Sequence, residues 1–169
     1  LQDDSDLEKG ECAVQETNGS TRTCTYPHYP QEFRFRDLEK KDRARIQVLH
    51  EEWFPVVYQE EFYDQVVLHR MPNTGEPLFT CVATIHDDPY DTVVACLVGA
   101  SVDSHKLNSA SRQLLITDET LHTKLFYIMT LGTATDYRHF GLGTALVQIC
   151  IDEVQDDPQY GVLYLHVIT

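Results

Sequence analysis

Apolar positions along the chain fall into short runs whose spacing shifts between two and three or four, and the shifts mark its elements. Phe33-Arg34-Phe35-Arg36 alternates apolar with charged and predicts a short strand. Ile46, Leu49 and Trp53 recur at i, i+3 and i+7, the stripe of one helix face. A helix is therefore predicted from near Asp42 until Pro55 stops it. Phe62, Tyr63, Val66 and Val67 give residues 60–68 a second, shorter helix. Residues 78–85 and 92–102 read as two strong strands. The turn chemistry of Asp87-Asp88-Pro89-Tyr90-Asp91 between them predicts an antiparallel hairpin. Residues 103–123 are polar apart from Leu114-Leu115-Ile116 and predict an insertion or long loop. A third long strand, 125–133, shows little alternation, as expected of a central strand covered on both faces. An amphipathic helix follows over 142–154, broken by Asp156-Asp157-Pro158, and a last strand is predicted over 161–169. The order β-α-α-β-β-β-α-β specifies one α/β domain over residues 32–169.

Residues 1–31 are acidic and polar, lack apolar periodicity and contain Pro27 and Pro30, so a disordered tail is expected there. The 169-residue chain is long enough for one real core, and no apolar run approaches the roughly 18–20 residues of a membrane span. Its 13 basic and 27 acidic residues argue against nucleic-acid binding, which needs a basic patch, and favour cationic partners such as an amine. The cysteines Cys12, Cys24, Cys81, Cys96 and Cys150 are odd in number and show no C-x-x-C spacing. The last three sit in apolar runs and read as buried thiols of a reducing compartment. Asn18-Gly19-Ser20 matches a glycosylation sequon, but no basic and apolar leader opens the chain, so a chance match is expected. The chain starts at Leu1 without Met, and an excised piece of a longer protein is expected. No residue pair has convincing metal-ligand spacing, so no metal is expected.

The chemistry concentrates in Arg138-His139-Phe140-Gly141-Leu142-Gly143-Thr144-Ala145, between the third long strand and the helix. Gly141 and Gly143 let a backbone approach a ligand closely and take dihedrals other residues avoid. The free N–H groups and dipole at the helix start favour an anion, and Arg138 and His139 add positive charge. Such a loop suits a diphosphate, although G-x-G alone also fits a plain tight turn. No Gly-Lys-Ser/Thr follows, and position 146 is Leu, so neither a Walker A loop nor a G-x-G-x-x-G fingerprint is present. The phasing instead matches Arg/Gln-x-x-Gly-x-Gly/Ala, and on it the chain resembles the acetyl-CoA-dependent GNAT acetyltransferases. Three further motifs narrow the resemblance to protein N-terminal acetyltransferases of types E and F. They are Trp53-Phe54-Pro55-Val56-Val57-Tyr58 followed by Phe62-Tyr63, Tyr127-Ile128-Met129-Thr130-Leu131-Gly132, and Leu163-Tyr164-Leu165-His166-Val167. The insertion at 103–123 and the ending His166-Val167-Ile168-Thr169 are more similar to type F, and the Tyr127 strand to type E.

The resemblance covers residues 33–169 and implies a GNAT fold, a mixed and mostly antiparallel sheet flanked by helices, with the C-terminal part missing. It implies Tyr127 and His166 as the catalytic pair. A peptide α-ammonium has a pKa of about 7.7–8.0, and only the neutral amine attacks a thioester. A histidine acting directly or through water suits as its base, and a tyrosine hydroxyl can support that water or protonate the departing thiolate. Pattern alone would read both residues as satisfied members of buried strands. The resemblance further implies that Leu131, Gly132 and Thr133 pair with pantetheine through their backbone. Arg138, His139, Phe140, Gly141, Leu142, Gly143 and Thr144 would hold the pyrophosphate. Phe54, Pro55, Val56 and Tyr58 would receive the substrate's first residue, with Met129 below them; for Phe54 and Pro55, a helix stop plus core packing explains the residues equally well.

Three departures from the family pattern stand out. His139 replaces a second Lys or Arg, which makes charge support for the phosphates weaker and pH-dependent. Val57 replaces the acidic residue of type F. The chain stops at Thr169, before the family's Asn-bearing turn, a CoA-contacting helix and two strands that close the peptide site. The implied activity is acetyl transfer from acetyl-CoA to the α-amine of protein N-termini, Met-initiated ones above all. The alternatives are acetylation of lysine side chains or small amines, and a non-catalytic CoA-binding module. Expected partners are acetyl-CoA and N-terminal peptides, with no nucleic acid. A membrane would be met only through a missing C-terminal segment, and the expected location is cytoplasmic, including the cytosolic face of Golgi membranes.

Overall fold

Each strand lies beside its neighbour in the chain, so the sheet is built almost wholly from local antiparallel pairings. The computed structural model describes residues 13–17, 21–25, 32–116 and 121–167. Across the sheet run β1 (Ala13–Thr17), β2 (Thr21–Thr25), β3 (Phe33–Arg36), β4 (Phe79–Ile85), β5 (Val93–Asp103), β6 (Lys124–Thr133) and β7 (Tyr160–Leu165). Only β6 and β7 pair in parallel, which requires a crossover, and α4 (Leu142–Val154) supplies it. The remaining helices are α1 (Arg43–Trp53), α2 (Glu60–Val66) and α3 (Ser109–Leu115).

Alternate residues of the central strands feed two cores. Phe33, Phe35, Cys81, Ala83, Ala95, Leu97, Phe126 and Ile128 meet Leu142, Leu146 and Ile149 of α4 on one face. Val82, Cys96, Val98 and Ala100 meet Ile46 and Leu49 of α1 and Phe62, Tyr63 and Val66 of α2 on the other. The mixed α/β sheet flanked by helices is the architecture expected from the sequence. Among the described residues, no helix is long and apolar enough to cross a membrane.

Three stretches differ from expectation. Within 1–31, expected as a tail, β1 and β2 form a hairpin with Ala13 opposite Thr25, and β2 pairs onto β3. The Asn18-Gly19 pair between them is the strongest short-range hairpin signal, and Thr-rich 21–25 suits a strand. The other residues of 1–31, the sequon Asn18-Gly19-Ser20 included, lie outside the described residues. In 103–123, expected as a loop, α3 is opened by Asn108, whose side chain accepts from the Ser111 N–H at 2.8 Å. Leu114 of α3 is 85% exposed, so this helix leaves no apolar stripe in the sequence; residues 117–120 lie outside the described residues. The last strand ends at Leu165, and Ile168 and Thr169 are outside the described residues.

His50 in α1 is fully buried, with both ring nitrogens lacking a hydrogen-bond partner. The rings of Trp53, Phe54, Tyr58, Phe62 and Tyr63 surround it at centroid distances of 5.4–6.0 Å. Burial lowers its pKa to about 4. In the unfolded chain a histidine titrates near about 6.5, so below that pH the unfolded state takes up a proton that the folded state refuses. Stability is then full above about pH 6.5 and falls as pH drops towards 4, by at most about 3 kcal/mol. Thermal melts at stepped pH should show this loss, and His50→Leu should remove it.

Candidate active site

β6 outruns its parallel partner. Pairing with β7 ends at Ile128 opposite Leu165, whereas β5 accompanies β6 as far as Ala95 opposite Thr133. Over residues 129–133, backbone groups on the side of β6 away from β5 therefore stand outside the ladder, in the wedge where the strands part. A bulge opens in the same place. Val98 pairs with Thr130 and Gly99 with Ile128, which leaves Met129 as the extra residue. Such a bulge frees a backbone group and re-aims a side chain.

The end of β6 leads into the Gly-rich loop. A 3-10 turn, Thr135–Tyr137, is followed by Arg138, His139 at φ 68°, Phe140 and Gly141 at φ 69°. Gly141 is the N-cap of α4 in the left-handed region, which it reaches without a Cβ penalty. It brings no capping side chain, so the first N–H groups of α4 are left for an anion. Gly143, expected to need unusual dihedrals, does not take a positive φ. A Cβ there would meet nothing within 4 Å, so its smallness keeps space open rather than permitting a turn. His139 takes the left-handed conformation instead, at a cost of order 1–2 kcal/mol for a side chain with a Cβ. Thr133, Tyr137, Arg138, His139, Gly141, Leu142, Gly143 and Thr144 line a cavity of 270 Å³. Phe140 and Tyr137 anchor the loop from below, each edge-on to Phe33 at 5.8 and 6.1 Å. The Arg138 Nε–H donates to the Thr133 carbonyl at 3.3 Å and ties the loop back to the strand.

On the opposite face, α1 ends at Trp53 and the chain turns through Phe54, Pro55, Val56 and Tyr58 into α2. Tyr58 stacks on Phe62 at 4.4 Å, and with Trp53 and Met129 it packs against the α1–α2 core. Val56 and Val57 are exposed, Val57 at 82%. Burial first, and the neighbouring Tyr127 second, push the Tyr58 phenol above its ordinary value. That interaction puts the α1–α2 connection close to the second expected group. Tyr127 on β6 and His166, just past the end of β7, meet with the phenolic oxygen 3.2 Å from Nδ1. Tyr127, His166, Tyr58 and Met129 thus lie near one another along β6, and the Gly-rich loop follows the end of the same strand.

Contacts that periodicity does not reveal complete the site. The indole of Trp53 lies where a Cβ of Gly132 would be, so Gly132 lets α1 settle directly on the strand end. Beside it, the Thr135 hydroxyl donates to Glu52 Oε1 at 2.7 Å. Tyr164 stacks on Tyr127 at 5.0 Å. Gly132→Ala should drive the methyl into the Trp53 ring and cost about 1–3 kcal/mol, the range for overpacking. A denaturant melt followed by the fluorescence of Trp53, the only tryptophan of the chain, measures this. Among the described residues, no cluster of three or more His, Cys, Asp or Glu could hold a metal ion.

Comparison with known proteins bears on the same segments. Residues 43–169 match the acetyltransferase (GNAT) family. The chain is 26% identical over 140 residues to N-alpha-acetyltransferase 60 of Danio rerio, an alignment covering 82% of this chain and 54% of that protein. It spans about half the length of the curated relatives it matches. Arabidopsis thaliana NAA60 in complex with a bisubstrate analogue superimposes with a TM-score of 0.68 at 26% identity, over 81% of this chain and 75% of that one. The same plant protein in complex with acetyl-CoA gives a TM-score of 0.66 at 26% identity, over 80% and 75% of the two chains.

Proposed function

The chain belongs to the acetyltransferase (GNAT) family, and from that premise we propose that it transfers an acetyl group from acetyl-CoA to the α-amine of protein N-termini, with Met-initiated ones preferred. The observation that carries this reading is the Tyr127–His166 contact at the mouth of the wedge between β6 and β7. The relative NAA60, solved with acetyl-CoA and with a bisubstrate analogue, supports it.

The residues present fit acetyl-CoA. The uncapped start of α4, the open space at Gly143 and the Arg138 side chain suit a diphosphate, and residues 138–144 would hold it. The free edge of β6 at Leu131, Gly132 and Thr133 suits the amides of a pantetheine arm, as an added strand would. When bound, acetyl-CoA supplies the acetyl group as an activated thioester. His166 is positioned to take the proton that the amine must shed, directly or through one water. The Tyr127 hydroxyl orients the imidazole and holds a proton near the reacting atoms. The bulge at Met129 sets a backbone group outside the ladder beside this pair, and its N–H would be a donor for the negative charge that develops on the thioester oxygen. Phe54, Tyr58 and Met129, with Pro55 and Val56 beside them in the chain, would form an apolar wall suited to an unbranched apolar first side chain.

Steady-state assays with acetyl-CoA and peptides differing only in their first residue test the preference. Met should give a kcat/KM roughly 10-fold or more above Ser or Ala, the scale on which an apolar pocket discriminates. Equal rates would remove the Met assignment. The buried thiols Cys81, Cys96 and Cys150 are in keeping with a reducing, cytosolic location, which forms part of this reading.

A further inference from the structure

Tyr164 stands outside the roles assigned so far, yet it touches both members of the proposed pair. In the parallel register it faces Tyr127, one residue before pairing between β6 and β7 ends. The two phenol rings stack at 5.0 Å with their planes 23° apart. The His166 ring meets Tyr164 edge-on at 5.8 Å and 89°, and Tyr127 at 5.3 Å and 70°. Backbone pairing holds Tyr127 between β5 and β7 but does not reach His166. His166 follows the last residue of β7 and is exposed, and Tyr127 lies two residues before the bulge at Met129. Besides the 3.2 Å contact of Nδ1 with the phenolic oxygen, ring contacts fix the angle of the imidazole.

We propose that Tyr164 is the positioning residue of the Tyr127–His166 pair, its ring plane setting the angle at which the phenol meets the imidazole. The proposal rests on the reading of that pair given above. Burial first and Tyr127 second push the Tyr164 phenol above its ordinary value. It therefore keeps its proton at neutral pH and is not a base in its own right. Ring plane rather than hydroxyl is the property required, and this separates positioning from proton transfer.

Three variants assayed with acetyl-CoA and a Met-initiated peptide decide it. Tyr164→Phe keeps the ring and should hold kcat within about 2-fold. Tyr164→Leu and Tyr164→Met keep bulk without that ring plane and should lower kcat by about 10–100-fold, the scale of a misaligned reacting group. Both KM values should stay within about 3-fold of the parent. CoA calorimetry on each variant checks that the fold is intact, and a pair of non-aromatic variants guards against one failing to fold. Wild-type kcat in Tyr164→Leu or Tyr164→Met overturns the proposal. A loss in Tyr164→Phe equal to that in Tyr164→Leu also overturns it, because the hydroxyl would then be the active part. Absence of turnover by the parent protein removes the underlying function as well.

Discussion

His166→Ala is expected to lower kcat by about 10²–10⁴-fold, the usual contribution of a general base, while acetyl-CoA binding stays within about 2-fold. The separation follows from where the residue sits. His166 lies past the end of β7, exposed, with its Nδ1 against the Tyr127 hydroxyl. It is not among the residues that line the cavity proposed for the diphosphate. Removing an exposed side chain away from the core changes stability by about 0.5 kcal/mol or less, so a lost rate cannot be put down to unfolding. Pre-steady-state acetylation with saturating acetyl-CoA measures the chemical step directly. Parent-like turnover would mean that solvent alone carries the proton.

Arg36→Leu is expected to cost about 3–5 kcal/mol of stability, because it strips the counter-charge from a buried carboxylate. Arg36 on β3 grips Asp42 with both terminal nitrogens, at 2.7 and 2.9 Å, and its Nε–H donates to Asp91 at 2.9 Å. Its side chain is 9% exposed and that of Asp42 5%, so little solvent screens the pair. Lys41 joins the cluster through Asp91 at 2.8 Å, and the Glu39 N–H donates to Asp42. The network fastens the start of α1 to β3 and to the β4–β5 turn, and so fixes the helix whose far end carries the proposed substrate wall. Burial raises the Asp91 carboxyl, but hydrogen bonds from Lys41 and Thr84 and the Arg36 charge outweigh it and bring the pKa to about 2. Its stabilisation is present above the unfolded value of about 4 and is lost as pH falls through about 2. Urea melts of the parent and Arg36→Leu at neutral pH give the first effect, and an acid series of the parent gives the second.

The elements on which the site depends were legible where burial forced periodicity. Leu142, Ala145, Leu146, Ile149 and Cys150 are spaced as one helix face, and α4 occupies the predicted residues 142–154. The apolar run of β5 reads as a strand because residues 93–100 are buried throughout. The β1–β2 hairpin left only a local signal, Asn18-Gly19 and the threonines of 21–25, because its polar strand Thr21-Arg22-Thr23-Cys24-Thr25 carries no apolar alternation and pairs onto β3. The helix α3 escaped because it buries no face. At the proposed site, residue identity and order pointed to Tyr127, His166 and the loop, and the structure brings Tyr127 and His166 within 3.2 Å. The bulge at Met129, the left-handed His139, the Trp53 ring on Gly132 and the stacked Tyr164 depend on what lies across the sheet. Spacing along the chain carries no trace of such contacts.

The proposed transfer acts on an α-amine, and one peptide can decide this. A Met-initiated peptide with a free N-terminus and an internal lysine is incubated with the protein and acetyl-CoA, and the acetyl group is located by fragmentation mass spectrometry. Acetylation of the N-terminal nitrogen is expected, with none when the N-terminus is blocked beforehand. Acetylation confined to the lysine ε-amine, or equal modification of the blocked peptide, would contradict it.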